Sequence, residues 1–178
     1  EVLDEPYTGR IFAVTISNIR DALPHYGTME ADILMEMWVN GSIIRDLALY
    51  TDVSKAEAIG SVRSDRLMFN QIVKMYDAVL ADAAGSDQVL NDARNTGVNR
   101  MTIDTGDATD YSYRAKDRVF TFKPESKYEH TLFAKGAGLL DFAQKKGFSV
   151  TQPADKDYNL HFTEDGTPDG ETANSVNV

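Results

Sequence analysis

The chain has 178 residues, of which 42% are hydrophobic and 26% charged, with no cysteine and a formal charge of −10. That length holds one ordinary globular domain and a remainder. The acidic balance disfavours nucleic acid or an anionic membrane face as a non-specific partner. The missing cysteines remove disulfide frameworks, thiolate zinc sites and a cysteine nucleophile.

The start, Glu1-Val2-Leu3-Asp4, has neither an initiator Met nor a signal-like apolar core, so it reads as a mature or trimmed chain. Ile11 to Ile16 is a β-branched apolar run, read as a buried strand. Asn18 to Gly27 carries Asn, Asp, Pro and Gly and reads as a long ordered loop. Ile33 to Val39, then Asn40-Gly41, then Ile43 to Tyr50 spells a hairpin, because Asn-Gly tolerates the positive φ angles of a tight turn.

Ser64-Asp65 is the expected cap of a helix from Leu67 to Tyr76. Ala78 to Ala83 is a second strand, and Gly85-Ser86 leads into a helix from Asp87 to Asn95 closed by Gly97. Thr102 to Asp117 is polar and without period. Arg118 to Phe122 alternates like a strand, and Thr131 to Lys146 reads as a helix ending at Gly147 despite Gly136 and Gly138. Strands and helices interleave, which predicts an α/β or mixed α+β domain from residue 8 to 150, with a central mixed sheet flanked by helices. Residues 151–158 read as a linker and 159–178 as the first strand region of a second domain. The tail 172–178 has no partner strand in the sequence, so a second copy or a C-terminal half is its expected partner.

The segment Gly60 to Arg66, G-S-V-R-S-D-R, carries most of the chemistry. A cation in the first turn of a helix is unfavourable unless an anion offsets it, and Arg63 and Arg66 lie beside helical N–H donors. Two guanidiniums converging there hold a phosphate or carboxylate, or form structural salt bridges to Glu36 or Asp65. Gly85-Ser86 is a second anion candidate at a helix start, or an ordinary turn; it has neither the Walker nor the dinucleotide glycine pattern. His25, His130 and His161 lack the spacing of a zinc helix. His130, beside Glu129, is a candidate acid or base or a capping residue. Asp104, Asp107 and Asp110 lack the ligand order of a calcium loop, as do Asp165, Asp169 and Glu171. No metal and no cofactor is predicted.

These pieces together resemble a known family. I-F-A-V-T-I-S-N, A-D-I-L-M-E, V-N-G-S-I-I-R-D-L-A-L-Y, I-G-S-V-R-S-D-R, Y-D-A-V-L-A-D-A-A-G-S, Y-R-A-K-D-R and E-H-T-L-F, in that order, are similar to the N-terminal domain of the YerB-like lipoproteins, DUF3048. The resemblance covers roughly residues 10 to 150, and G-S-V-R-S-D-R is its most specific element. It implies a bacterial envelope protein, extracytoplasmic and membrane-anchored through an N-terminal lipid that is absent here. The recurrent polar positions it implies are Asn18, Glu36, Arg45, Arg63, Ser64, Arg66, Arg114, Arg118 and His130. The chain departs from the pattern at Asp82, where the family has His in H-x-G-G-S, at Ala84 for Gly, at Asn40 for Glu and at Thr131 for Asn.

Three functions fit. The leading one is an envelope module binding an anionic glycan, phosphate or carboxylate through Arg63, Ser64, Arg66, Arg45, Gly85 and Ser86, with Asn18, Arg114 and Arg118 as secondary residues. An envelope hydrolase or transferase would use the same arginines for substrate charge and His130 with Glu36 for proton transfer. A structural or protein-binding module would need neither.

Overall fold

The computed structural model describes residues 8–105, 108–122, 127–153 and 156. Strand β1 (Phe12–Ser17) is buried along its whole length, as its mostly apolar run suits a central strand. Gly41, at φ +53°, turns the chain between β2 (Ile33–Asn40) and β3 (Ile43–Tyr50), and the two strands pair antiparallel as predicted. After the two-residue β4 (Ile59–Gly60) come α1 (Leu67–Met75), β5 (Val79–Asp82), α2 (Asp87–Thr96) and β6 (Asn99–Thr102). Then β7 (Ser112–Arg114), β8 (Leu132–Ala134) and α3 (Gly136–Lys145) follow.

The main sheet has the order β2-β3-β1-β5-β6 and is mixed: β1 is antiparallel to β3 and parallel to β5, which is parallel to β6. Ala13, Leu47 and Leu80 on one face pack with Phe69 and Val73 of α1. On the other face Val14, Ile16, Ala48, Ala81 and Met101 meet the small antiparallel sheet β4-β8-β7 and Leu139 and Ala143 of α3. The architecture is a mixed α+β domain. Among the described residues no helix is long and apolar enough to cross a membrane.

Several local expectations need correction. Arg118 to Phe122 forms no strand; the alternation is real in burial, with Arg118 and Phe120 inward and Val119 71% exposed, yet no strand pairs with it. The helix expected from Thr131 begins only at Gly136, because Leu132–Ala134 pairs with β4 and β7 instead. Ser64 is not the cap of α1: Arg66 occupies that position, without a side-chain cap. The polar stretch after Thr102 contains β7, which has no apolar alternation to betray it. Of the expected linker only 151–153 and 156 are described, Thr151 bridging to Gly9. Residues 159–178, with His161, Asp165, Asp169, Glu171 and the tail, lie outside the described residues, as does Asp107.

Candidate functional site

Strands β1 and β5 pair only as far as Val14 and Ala81, and then part. The segment from Ser61 to Asp65 fills the space between their carboxyl ends. Its Ser61 carbonyl accepts from Ser17 N at 2.9 Å, and Arg63 N donates to Thr15 O at 3.0 Å. On the other side Ala83 N donates to Arg63 O at 3.0 Å and Asp65 N to Ala84 O at 2.7 Å. In open α/β sheets the crevice beyond the carboxyl ends of the strands is the usual ligand position. Here it is lined by cations.

Arg45, Arg63 and Arg66 reach this place from β3, from the crossing segment and from the start of α1. Arg45 is 3% exposed, donates through Nη1 to the Ser64 carbonyl, and has no partner at Nε. Burial lowers its pKa to about 10, helped by the charges of Arg66 and Arg63 and opposed by Asp65. Burial and then Arg63 also lower the pKa of Arg66, whose Nη1 donates to the Asp65 carbonyl at 2.7 Å. Among the described residues no carboxylate is in ion-pair contact with Arg45 or Arg66. Arg63 differs, with Glu129 Oε2 3.5 Å from its Nη2.

Beneath the arginines lie two fully buried carboxylates, Asp65 and Asp82, which share Arg100. Arg100 Nη2 donates to Asp82 Oδ1 at 2.5 Å, and its Nε is 3.9 Å from Asp65 Oδ2. Asp65 Oδ1 also accepts from Arg66 N at 2.6 Å. Burial is the largest influence on both acids, pushing Asp65 up to about 6 and Asp82 well above the carboxylate range. One guanidinium thus faces two buried acids, and burial disfavours the charged form of both. Sequence reasoning missed this cluster, although Asp82 closing the apolar V-L-A-D was a readable sign of a buried charge.

The remaining predicted residues divide. Ser86 is exposed and caps α2, accepting from Val89 N at 3.5 Å, and Gly85 adjoins the site through Ala84. Arg114 lies at the rim but is already held by Asp104 at 2.5 Å, by the Tyr128 carbonyl at 2.7 Å and by the Tyr128 ring. Arg118 is a core residue: it donates to Ser61 Oγ and to the carbonyls of Ala22 and Pro24, with its guanidinium against Tyr26, Phe120 and Phe133. Glu36 sits opposite Asp46, while Arg45 sits opposite Met37. Directly opposed residues share a face, so Glu36 lies across the sheet from Arg45. Glu36 and Asp46 instead accept from Asn18 Nδ2 at 2.6 and 3.0 Å.

His130 is buried, and its carboxylate neighbour is Glu129, with Oε1 3.5 Å from Nε2, not Glu36. Burial lowers its pKa. Among the described residues no group of three or more His, Asp or Glu is placed to hold a metal ion. Asp104 and Asp110 face Arg114 and Lys145 respectively.

A family model described as "Protein of unknown function (DUF3048) N-terminal domain" matches residues 1–149. The chain belongs to this family. The DUF3048 chain is 27% identical over 168 residues to a protein of Bacillus subtilis (strain 168) described as "Putative lipoprotein YerB", covering 93% of this chain and 46% of that one. The crystal structure of YerB from Bacillus subtilis superposes with a TM-score of 0.75 at 24% identity, over 92% of this chain and 52% of that chain. That second likeness is one of fold. The chain therefore spans about half the length of the relatives it matches.

Proposed function

We propose that this DUF3048 domain, residues 8–150, is an extracytoplasmic module that binds an anionic envelope ligand through Arg45, Arg63 and Arg66. The observation that carries the reading is Arg45: a guanidinium 3% exposed, flanked by two like charges, with no carboxylate in ion-pair contact among the described residues. A buried unpaired cation is strongly unfavourable, and an incoming anion removes that penalty. The description of the Bacillus relative, "Putative lipoprotein YerB", supports an extracytoplasmic, membrane-anchored setting. A hydrolase or transferase reading is less well supported, because Glu36 is held by Asn18 on the other face of the sheet from Arg45, and His130 meets Arg63 only through Glu129.

A ligand that binds only the folded state raises stability by about 3 kcal/mol at a hundred times its Kd. Thermal unfolding in sulfate, compared with chloride at matched ionic strength, is expected to show a rise of several degrees for the parent. The rise should vanish in the Arg45→Met, Arg66→Ser double variant. Equal rises in both proteins, or none in either, would overturn the reading.

A further inference from the structure

Resting on that reading, we infer that the arginine site takes a tetrahedral dianion, the terminal phosphate of a small molecule or lipid headgroup, in preference to a carboxylate. Charge balance is the first argument. Arg63 is partly offset by Glu129, whereas Arg45 and Arg66 have no carboxylate in ion-pair contact among the described residues, so two positive charges lack a direct counter-charge. Burial lowers the pKa of each, and a neighbouring guanidinium adds to it, Arg66 and then Arg63 at Arg45, and Arg63 at Arg66. A monoanion leaves one of them exposed to that repulsion; a dianion offsets both. Asp65 favours both charges through space, but it makes no ion-pair contact with either guanidinium and its Oδ2 lies 3.9 Å from Arg100 Nε.

Donor geometry is the second argument. A carboxylate offers two oxygens in one plane, which suits a single guanidinium fork; a phosphate offers three strong acceptor oxygens spread in space. The donors come from three separate elements, β3, the crossing segment and the first turn of α1. That turn adds backbone donors. The amides of Phe69 and Asn70 are committed to the Arg66 carbonyl, at 2.9 and 3.4 Å, and those of Leu67 and Met68 have no backbone acceptor among the described residues. A helix start alone would not make a site. Here the buried Arg45, with its unpartnered Nε, reaches the Ser64 carbonyl three residues before Leu67.

The neighbouring pocket of about 150 Å³ beside Arg63 is not the seat of the anion. Asp104 and Glu129 line it and occupy Arg114 and Arg63.

The test is isothermal titration of the protein at pH 7.5 with inorganic phosphate, glycerol 3-phosphate, acetate and succinate at constant ionic strength. Co-sedimentation with vesicles containing phosphatidic acid is run beside it. Phosphate or the monoester binding at least ten-fold tighter than acetate and succinate supports the inference, and the vesicle arm separates a headgroup source from a soluble one. The Arg66→Ser variant should lose that preference and still fold, because Ser is a favourable N-cap. Carboxylates binding as tightly as the phosphates would overturn the phosphate assignment and leave the anion-binding reading standing. Binding of none of the probes would overturn both.

Discussion

The guanidinium of Arg45, carried on β3, donates to the backbone carbonyl of Ser64 in the segment that leads into α1. This ties the hairpin to the crossing segment through a charge rather than through apolar packing. Its removal separates two roles. Arg45→Met keeps the length and apolar body of the side chain but deletes a buried charge, a change that in other proteins is neutral or stabilising by a few kcal/mol. The Ser64 carbonyl loses a donor, worth about 1 kcal/mol. The unfolding free energy in chloride, by urea titration, should therefore stay within about 1 kcal/mol of the parent or rise. A loss above about 3 kcal/mol would mark Arg45 as a structural anchor rather than a ligand donor.

Asp65 gives the site a pH dependence with a definite sign. Its carboxyl is raised by burial from 3.8 to about 6, so the folded protein binds more protons than the unfolded chain between those values. Stability contributed by this group is fully present below the unfolded pKa and is lost as pH rises through about 6. Asp65→Asn keeps an oxygen for the Arg66 amide and cannot ionise. It should stabilise the protein by up to about 3 kcal/mol at pH 7.5 and by almost nothing at pH 4, since each tenfold gain in proton affinity on folding is worth about 1.4 kcal/mol. Urea unfolding at the two pH values checks this. An Asn variant less stable than the parent at pH 7.5 would mean that the ionised Asp65 is needed by the arginines around it.

Much of this was readable from the residues, and the failures have physical causes. The hairpin was legible because Gly41 marks its turn, although the turn residues are Gly41 and Ser42 and Asn40 ends β2, and α2 because Ser86 and Gly97 mark both ends. The segment from Ser61 to Arg66 was legible as a place where cations gather. Asp65 was named beside them, but its meeting with Asp82 and Arg100 was not legible, because it depends on the parallel pairing of β5 with β6 and on the docking of the Ser61–Asp65 segment beside β5, which leave no sequence spacing to read. Arg118 and Phe120 alternate with exposed residues as a strand would, but the inward arginine satisfies loop carbonyls. The β8 ladder was hidden because L-F-A joins the helical pattern after it without a break.

Arg118 should prove to be a stability residue with no part in anion binding. Its guanidinium donates to Ser61 Oγ at 2.8 Å and to the Ala22 carbonyl at 2.9 Å, and it lies 4.6 Å from the Phe120 ring centroid. Arg118→Ala leaves those acceptors buried without donors and opens a cavity among the rings. The expected loss is about 3–5 kcal/mol. Arg118→Lys should recover only part of it, since an ammonium lacks the planar fork. Unfolding midpoints of the three proteins measure this, and a fully stable Ala variant would contradict it.

Gly136 opens α3, and helix propensity alone says that Ala in its place should stabilise by about 1 kcal/mol. The packing says the reverse. A Cβ at this position would stand 2.5 Å from the Ala56 carbonyl oxygen and closer still to that of Val53. Both are backbone atoms, so neither can swing aside as a flexible side chain would. Gly136 N also donates to the Ala56 carbonyl at 3.0 Å, and a shift that relieves the clash would lengthen that bond. Moving α3 outward would in turn loosen Leu139 and Ala143 from the core they share with Val53 and Ile59. Gly136→Ala is therefore expected to destabilise by about 2–4 kcal/mol, the range of a strained or overpacked core position. Gln144→Ala, exposed on the same helix, is the control and should change stability by less than about 0.5 kcal/mol. Urea unfolding of both variants decides the matter: a Gly136→Ala protein as stable as the parent would show that α3 does not need this close backbone approach.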